Sequence, residues 1–344
     1  MSNRSVLSSA VRFGVIGTGG IAGDFCEALS GSERCEVVSV VGSSPEKGAA
    51  FAQRFRLARS SGTLNELLSD RDVDVVYVAT PHPLHEAQAL ACIEMGKHVL
   101  CEKPLTVDAA SSERVIEAAR RRGVFLLEGY MYRCHPLLAE LIARVRAGAI
   151  GELRHIRADF GFRVERDPQS RLFDVALGGG GILDVGGYVM SFARLLAGVV
   201  TGQNFAEPTR LEGAGFVGPT GADELATALV SFESGLTAAL TCAVHHRVGT
   251  EAVLYGERGR IVLPDPWIPQ GLRQSLNTSF KVQREGEPEE IVSLTTQHAT
   301  YAVQADLVAS SLPATEAPWP AMSWADTLGN MRALDAWRRC LQQP

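Results

Sequence analysis

The segment Cys101-Glu102-Lys103-Pro104-Leu105 sets a lysine between a carboxylate and a proline, directly after a short apolar run. An ammonium at such a strand end could hydrogen-bond a substrate oxygen and favour negative charge developing there. Its plain alternative is a solvated surface charge. Thr80-Pro81-His82-Pro83-Leu84-His85 follows another apolar run and places Thr80, Pro81, His82 and His85 where they could line a cleft, although a strand-end histidine is more often a satisfied structural residue. Upstream, Gly17-Thr18-Gly19-Gly20-Ile21-Ala22 fits G-x-G-x-x-G/A. The first glycine permits a tight turn, the second lets backbone N–H groups approach a pyrophosphate, and Ala22 allows a helix to pack closely on its strand. The pattern is weak alone, and its position at a first strand–helix junction is what assigns Gly17, Gly19, Gly20 and Ile21 to a dinucleotide.

A carboxylate that holds the adenosine ribose is expected about 20 residues onward, at the tip of the second strand. That stretch reads Val41-Gly42-Ser43-Ser44-Pro45-Glu46-Lys47, with no acid at the tip itself. A 2′-phosphate is then not repelled, and Ser43, Ser44 and Lys47 could bind it, which favours NADP over NAD. Ser44-Pro45 also reads as a helix start, with serine at the N-cap and proline in the first turn.

These groups need a scaffold. Apolar runs at Val11–Ile16, Glu36–Val41, Val73–Thr80, His98–Cys101 and Val124–Glu128 alternate with amphipathic stretches, one spaced on Ile21, Phe25 and Leu29 and one running from Leu84 to Gly96. That rhythm predicts a Rossmann-like, doubly wound parallel sheet over residues 11–130. Ligands of such sheets bind beyond the carboxyl ends of the strands, which is where the two polar segments fall. After a helical stretch at Pro136–Ala147, strand-like segments dominate: Leu153–Arg163, Leu225–Phe232, Leu236–Val244, Ala252–Tyr255 and Phe280–Gln283. One helix is expected at Ile182–Leu196, and two more at Tyr301–Leu312 and Trp324–Leu341. Residues 131–344 therefore read as an α+β domain with a large open, mainly antiparallel sheet, which makes the whole chain α/β in class.

Bulk properties narrow the chemistry. The 344 residues are 46% hydrophobic and 21% charged, with a formal charge of −6, so no basic field attracts nucleic acid or an anionic membrane. No run approaches the ~18 apolar residues of a membrane helix, and the first ten residues lack a secretory core. Seven scattered cysteines without a CxxC pair suit a reducing, cytoplasmic setting. No metal site is expected: His245-His246 is adjacent on a strand, so its side chains point to opposite faces.

Taken in order, GTGGIA, ATPHPLH, CEKPL, EGYMYRCHP, GGGGILDVGGY and MSWADTLGNMRALDAWR resemble the glucose–fructose oxidoreductase, inositol dehydrogenase and MocA family over nearly the whole chain. The resemblance implies hydride transfer between a nicotinamide and a hydroxyl or carbonyl carbon of a sugar or polyol, a catalytic lysine at Lys103, and a homo-oligomer built through the open sheet. Where that family usually has D-x-x-x-H, this chain has Asp184 and Tyr188. The tyrosine resembles the branch containing dihydrodiol dehydrogenase and D-xylose dehydrogenase, and it implies Tyr188 as acid or base. An ordinary phenol is a poor base at neutral pH, so Lys103 is expected to lower its proton affinity. Asp184 would orient a neighbouring hydroxyl and Glu102 would meet the nicotinamide end. Arg133, Arg163 and Arg171 are candidate substrate contacts. The alternative is a non-catalytic dinucleotide-binding sensor of the same fold.

Overall fold

The computed structural model describes residues 10–269 and 277–341. Six parallel strands form the first sheet: β1 (Val11–Ile16), β2 (Cys35–Val41), β3 (Arg59–Ser61), β4 (Val75–Val78), β5 (His98–Cys101) and β6 (Leu126–Glu128). Their order is β3-β2-β1-β4-β5-β6, joined through α1 (Gly20–Leu29), α2 (Pro45–Phe55), α3 (Leu64–Ser69), α4 (His85–Glu94) and α5 (Ala109–Arg122). Helices cover both faces, so β4 is buried at all four residues and shows a continuous apolar run instead of alternation. The order reverses between β1 and β4, which opens a crevice at their carboxyl ends. Capping is local: Ser44 accepts from the Lys47 amide at the start of α2, and Asp108 does the same for Ser111 at α5.

After α6 (Pro136–Arg146) the second sheet begins with β7 (Leu153–Arg163). It continues with β8 (Pro208–Val217), β9 (Asp223–Phe232), β10 (Thr237–Ala243), β11 (His245–Gly249), β12 (Ala252–Gly256), β13 (Gly259–Leu263), β14 (Asn277–Arg284) and β15 (Glu290–Thr295). The order is β15-β14-β13-β12-β7-β10-β9-β8, with β11 paired on β7, and the β7–β10 pair alone is parallel. One face packs on α7 (Gly187–Thr201), which α9 (Trp324–Cys340) in turn covers. In β9 the side chains of Ala226, Ala228, Val230 and Phe232 point to that core, while Thr227 and Leu229 stand on the bare face. The segment Val175–Thr201 is long and apolar enough to cross a membrane by composition, but its most apolar 18-residue window is wholly buried inside the protein, as in a core helix.

The chain then turns back to the first sheet. From α8 (Thr300–Ser311), Tyr301 packs edge-on against Phe25 of α1 at 6.1 Å. From α9, the Trp324 indole donates to the Leu126 carbonyl and Asp335 accepts from the Ala109 amide. The two halves are thereby bolted together around the crevice.

The α/β architecture agrees with the expectation, and the differences have physical causes. β3 has three residues, β8 is an edge strand that is mostly exposed and β15 an edge strand with half of its residues exposed, so none of them carries a clean apolar alternation. The helix expected at Ile182–Leu196 begins as a π-helical turn, Ile182–Gly186, before α7. An inserted residue of this kind leaves no trace in spacing.

Candidate active site

Gly17 closes the turn after β1 with φ of 113°, and a Cβ there would lie 2.5 Å from the Ala79 carbonyl oxygen, so only glycine fits. Gly19 and Gly20 differ: a Cβ on either would meet nothing within 4 Å. Their lack of side chains keeps space open before the first turn of α1, whose N-cap has no side-chain partner. Free first-turn N–H groups beside open space fit a dinucleotide pyrophosphate. At the neighbouring strand tip Ser43 and Lys47 are exposed. Ser44 is largely spent: besides capping α2, its hydroxyl holds the Glu46 carboxyl below the usual range.

From this loop a cleft of about 360 Å³ runs between the two sheets. It has a polar corner made by Glu102, Lys103, Arg171, Asp184 and Tyr188, and an apolar wall made by Met131, Phe160, Phe162, Val185 and Ile268. Lys103, just past β5, donates to the Asp184 carbonyl at 2.8 Å and lies 3.7 Å from Asp184 Oδ1. Its Nζ sits over the Tyr188 ring, 5.3 Å from the centroid. Arg171 Nη1 donates to the same Asp184 Oδ1 at 3.0 Å. Burial pushes the Asp184 carboxyl up, but Lys103 and Arg171 together outweigh it and hold the group down to about 2. Asp184 is therefore a buried anion with two cationic partners.

Tyr188 is caged by rings: Tyr130 lies edge-on at 5.0 Å and Phe160 at 5.1 Å. Gly187 makes this possible, because a Cβ at that position would sit 1.9 Å from the Tyr130 hydroxyl. The proton affinity of Tyr188 does not follow the sequence expectation. Burial, then the charges of Glu102 and Asp184, push the phenol well above its ordinary value, and Lys103 does not reverse this. The ammonium is committed to Asp184, so the phenol keeps its proton through neutral pH.

Among the other expected residues, Glu102 lines the cleft, accepts from the Tyr77 hydroxyl at 2.5 Å, and is raised by burial. Thr80, Pro81 and His82 line it as well. Burial drives His82 down to about 3, so its ring is neutral, with Nδ1 at 3.2 Å from the Gly178 carbonyl. His85 does not reach the cleft. Its ring is wedged between the Thr80 and Pro104 carbonyls, 2.8 Å from each, and fastens the two polar loops together. Arg133 is also no substrate contact: it is fully buried, paired with Asp326 at 2.7 Å and bonded to the Pro320 carbonyl. Arg163 points to solvent and pairs with Glu165, whereas Arg171 stands at the cleft. The apolar wall and Tyr301 were not foreseen, since single apolar residues scattered from 131 to 301 carry no local signal. Among the described residues no group of three potential metal ligands occurs, and His245 is bonded to the Val164 carbonyl.

A Rossmann sheet with an open glycine loop, and a lysine, an aspartate and a tyrosine converging beside it, define a dinucleotide-dependent oxidoreductase. The chain belongs to the GFO/IDH/MocA oxidoreductase family: residues 11–130 match the family's NAD-binding Rossmann domain and residues 138–262 its C-terminal domain. It is accordingly an NAD(P)-dependent dehydrogenase or reductase. It is 34% identical over 265 residues to trans-1,2-dihydrobenzene-1,2-diol dehydrogenase of Mus musculus, covering 76% of this chain and 77% of that protein. A 3-ketoreductase from Actinomadura kijaniata, crystallised with NADP and TDP-benzene, superposes with a TM-score of 0.83 at 27% identity over 96% of this chain and 98% of its own. An aldose–aldose oxidoreductase from Caulobacter crescentus, complexed with glycerol, superposes with a TM-score of 0.84 at 26% identity over 97% and 98%.

Proposed function

We propose that the protein interconverts a hydroxyl and a carbonyl on a small sugar or cyclic diol, with Tyr188 as the proton carrier and NADP as the preferred coenzyme. The observation that carries this reading is the meeting of Lys103, Asp184 and Tyr188 in one corner of the cleft that opens at the glycine loop. Bound NADP would supply or accept the hydride. Tyr188 holds its proton at the cleft surface, so the resting enzyme is prepared to donate to a carbonyl oxygen as that oxygen gains charge. Lys103, anchored on Asp184, offers a further donor to the same oxygen and favours the negative charge that develops there. Asp184 and Arg171 are placed to bind a neighbouring hydroxyl.

The relatives support this substrate range: one is a dehydrogenase of a cyclic trans-diol, one is a 3-ketoreductase and one an aldose–aldose oxidoreductase. Crystallised variants of the Actinomadura ketoreductase replace a tyrosine and a lysine. The apolar wall of Met131, Phe160, Phe162 and Ile268 suits a ring face, while the polar corner suits its hydroxyls. Exposed Ser43 and Lys47 support the preference for a 2′-phosphate.

The test is a panel of aldoses, keto-sugars and cyclic trans-diols with NADP(H) and NAD(H), read by nicotinamide absorbance, together with Lys47→Glu. Turnover with NADP, weakened by Lys47→Glu, is expected. Tight coenzyme binding with no turnover across the panel would replace the enzyme with a sensor, and a preference for NAD would overturn the coenzyme assignment. We propose further that a second copy covers the bare sheet face, where Leu229 and Ile291 are 62% and 61% exposed. The seven unpaired cysteines support a reducing, cytoplasmic location.

A further inference from the structure

Two helical segments begin at the cleft, and they treat their first N–H groups differently. Those of α1 face open space beside Gly19 and Gly20. The segment that carries Asp184 and Tyr188 is closed by a carboxylate from the sheet it packs against. Asp223, the first residue of β9, accepts from the Ile182 amide at 2.7 Å and from the Gly181 amide. The approach is built into the chain on both sides. Gly180 has φ of 118°, and a Cβ there would lie 2.1 Å from Asp223 Oδ1, so no other residue type lets the carboxylate come this close. The Gly180 carbonyl in turn accepts from the Asp184 amide at 3.2 Å. Only two residues past Ile182, Asp184 presents its own carbonyl to Lys103.

We propose that Asp223 is a positioning residue: it clamps the first turn of the site helix to β9 and thereby sets where Asp184 and Tyr188 meet Lys103. This rests on the Lys103–Asp184–Tyr188 reading given above. A negative charge against first-turn N–H groups is favourable at a helix start, and here it comes from a strand 41 residues further along the chain. The clamp works through hydrogen bonds to the backbone and touches neither substrate nor coenzyme. The turn it holds is π-helical, a geometry that local propensity alone does not maintain. The second glycine-rich run of the sequence thus has a specific partner: Gly180 makes room for a carboxylate of the protein itself, as Gly19 and Gly20 make room for a ligand. Burial pushes the Asp223 carboxyl up to about 6, opposed by its amide donors and by Arg338 of α9.

The test uses the full-length protein as Asp223→Ala and Asp223→Asn, with Tyr188→Phe alongside. Three quantities are read: kcat with NADP and a panel of D-xylose, D-glucose and trans-cyclohexane-1,2-diol, the Kd for NADPH by fluorescence, and hydrogen–deuterium exchange of peptides spanning 178–188. Asp223→Ala is expected to lower kcat by about 10- to 100-fold, to leave the NADPH Kd within about twofold, and to speed exchange at 181–188 alone. Asp223→Asn keeps one acceptor for the Ile182 amide and is expected to fall between it and the parent, and it carries the same readouts should Asp223→Ala fail to fold. Unchanged exchange at 181–188, or a kcat within twofold of the parent, would overturn the proposal. So would a loss spread evenly over coenzyme affinity and exchange throughout the chain, which marks a general structural role. If Tyr188→Phe retains full turnover, the site reading fails while the exchange result still judges the clamp. If Tyr188→Phe is inactive and Asp223→Ala is not, only the clamp fails.

Discussion

Replacing Tyr188 by phenylalanine removes one oxygen atom and little else. The ring is held by edge contacts to Tyr130 and Phe160 and by Trp267 at 6.4 Å, all of which a phenyl group retains. The residue lines the cleft, so the lost hydroxyl leaves no enclosed void. Stability should therefore change by less than about 1 kcal/mol, and Tm by a few degrees at most. Turnover is another matter. A positioned acid or base contributes about 10²- to 10⁴-fold, which is about 2.7–5.5 kcal/mol of barrier. The expected result is thus a fall in kcat of at least about 100-fold, with NADPH affinity and Tm held, measured by steady-state kinetics, coenzyme fluorescence and thermal unfolding. A kcat within about threefold of the parent would refute the assignment, because no cavity, lost packing or misfolding would be available to mask a true catalytic effect.

Further outcomes follow from the same geometry. Because Tyr188 is raised above its ordinary value, it stays protonated through neutral pH: carbonyl reduction should hold steady there, alcohol oxidation should climb toward alkaline pH, and Tyr188→Phe should flatten that climb in pH–rate profiles. Lys103→Met removes one of the two cations that hold Asp184 at about 2. A charge-assisted bond worth about 1.5–3 kcal/mol predicts roughly a 10- to 150-fold loss of kcat. The same change lets the Asp184 carboxyl rise, so the stability its ionisation provides at neutral pH should shrink, and acid unfolding should begin at higher pH than in the parent. Gly17→Ala would force a Cβ to 2.5 Å from the Ala79 carbonyl at a positive φ. It should abolish measurable NADPH binding by fluorescence while the C-terminal sheet stays folded. Leu229→Arg on the bare face of β9 should shift the sedimentation mass to that of a single chain, and an already monomeric parent would discard the proposed oligomer.

Local patterns determined a good part of this protein in advance. Steric demand at Gly17, a helix start at Ser44-Pro45 and the short, largely apolar runs of β1 and β5 are each settled within a few residues, so the doubly wound unit and its coenzyme loop were legible. The site was legible only as a set of residue types. Lys103 and Asp184 are 81 positions apart, and nothing short of the folded crevice decides that the ammonium pairs with Asp184 and leaves the Tyr188 phenol raised. Tertiary structure likewise turned His85 and Arg133 from candidates into internal fasteners and brought Asp223 to the Gly180 turn. The reason is physical: backbone geometry and periodicity act over neighbouring residues, whereas burial and the field of nearby charges depend on which distant groups the two sheets bring within a few ångströms.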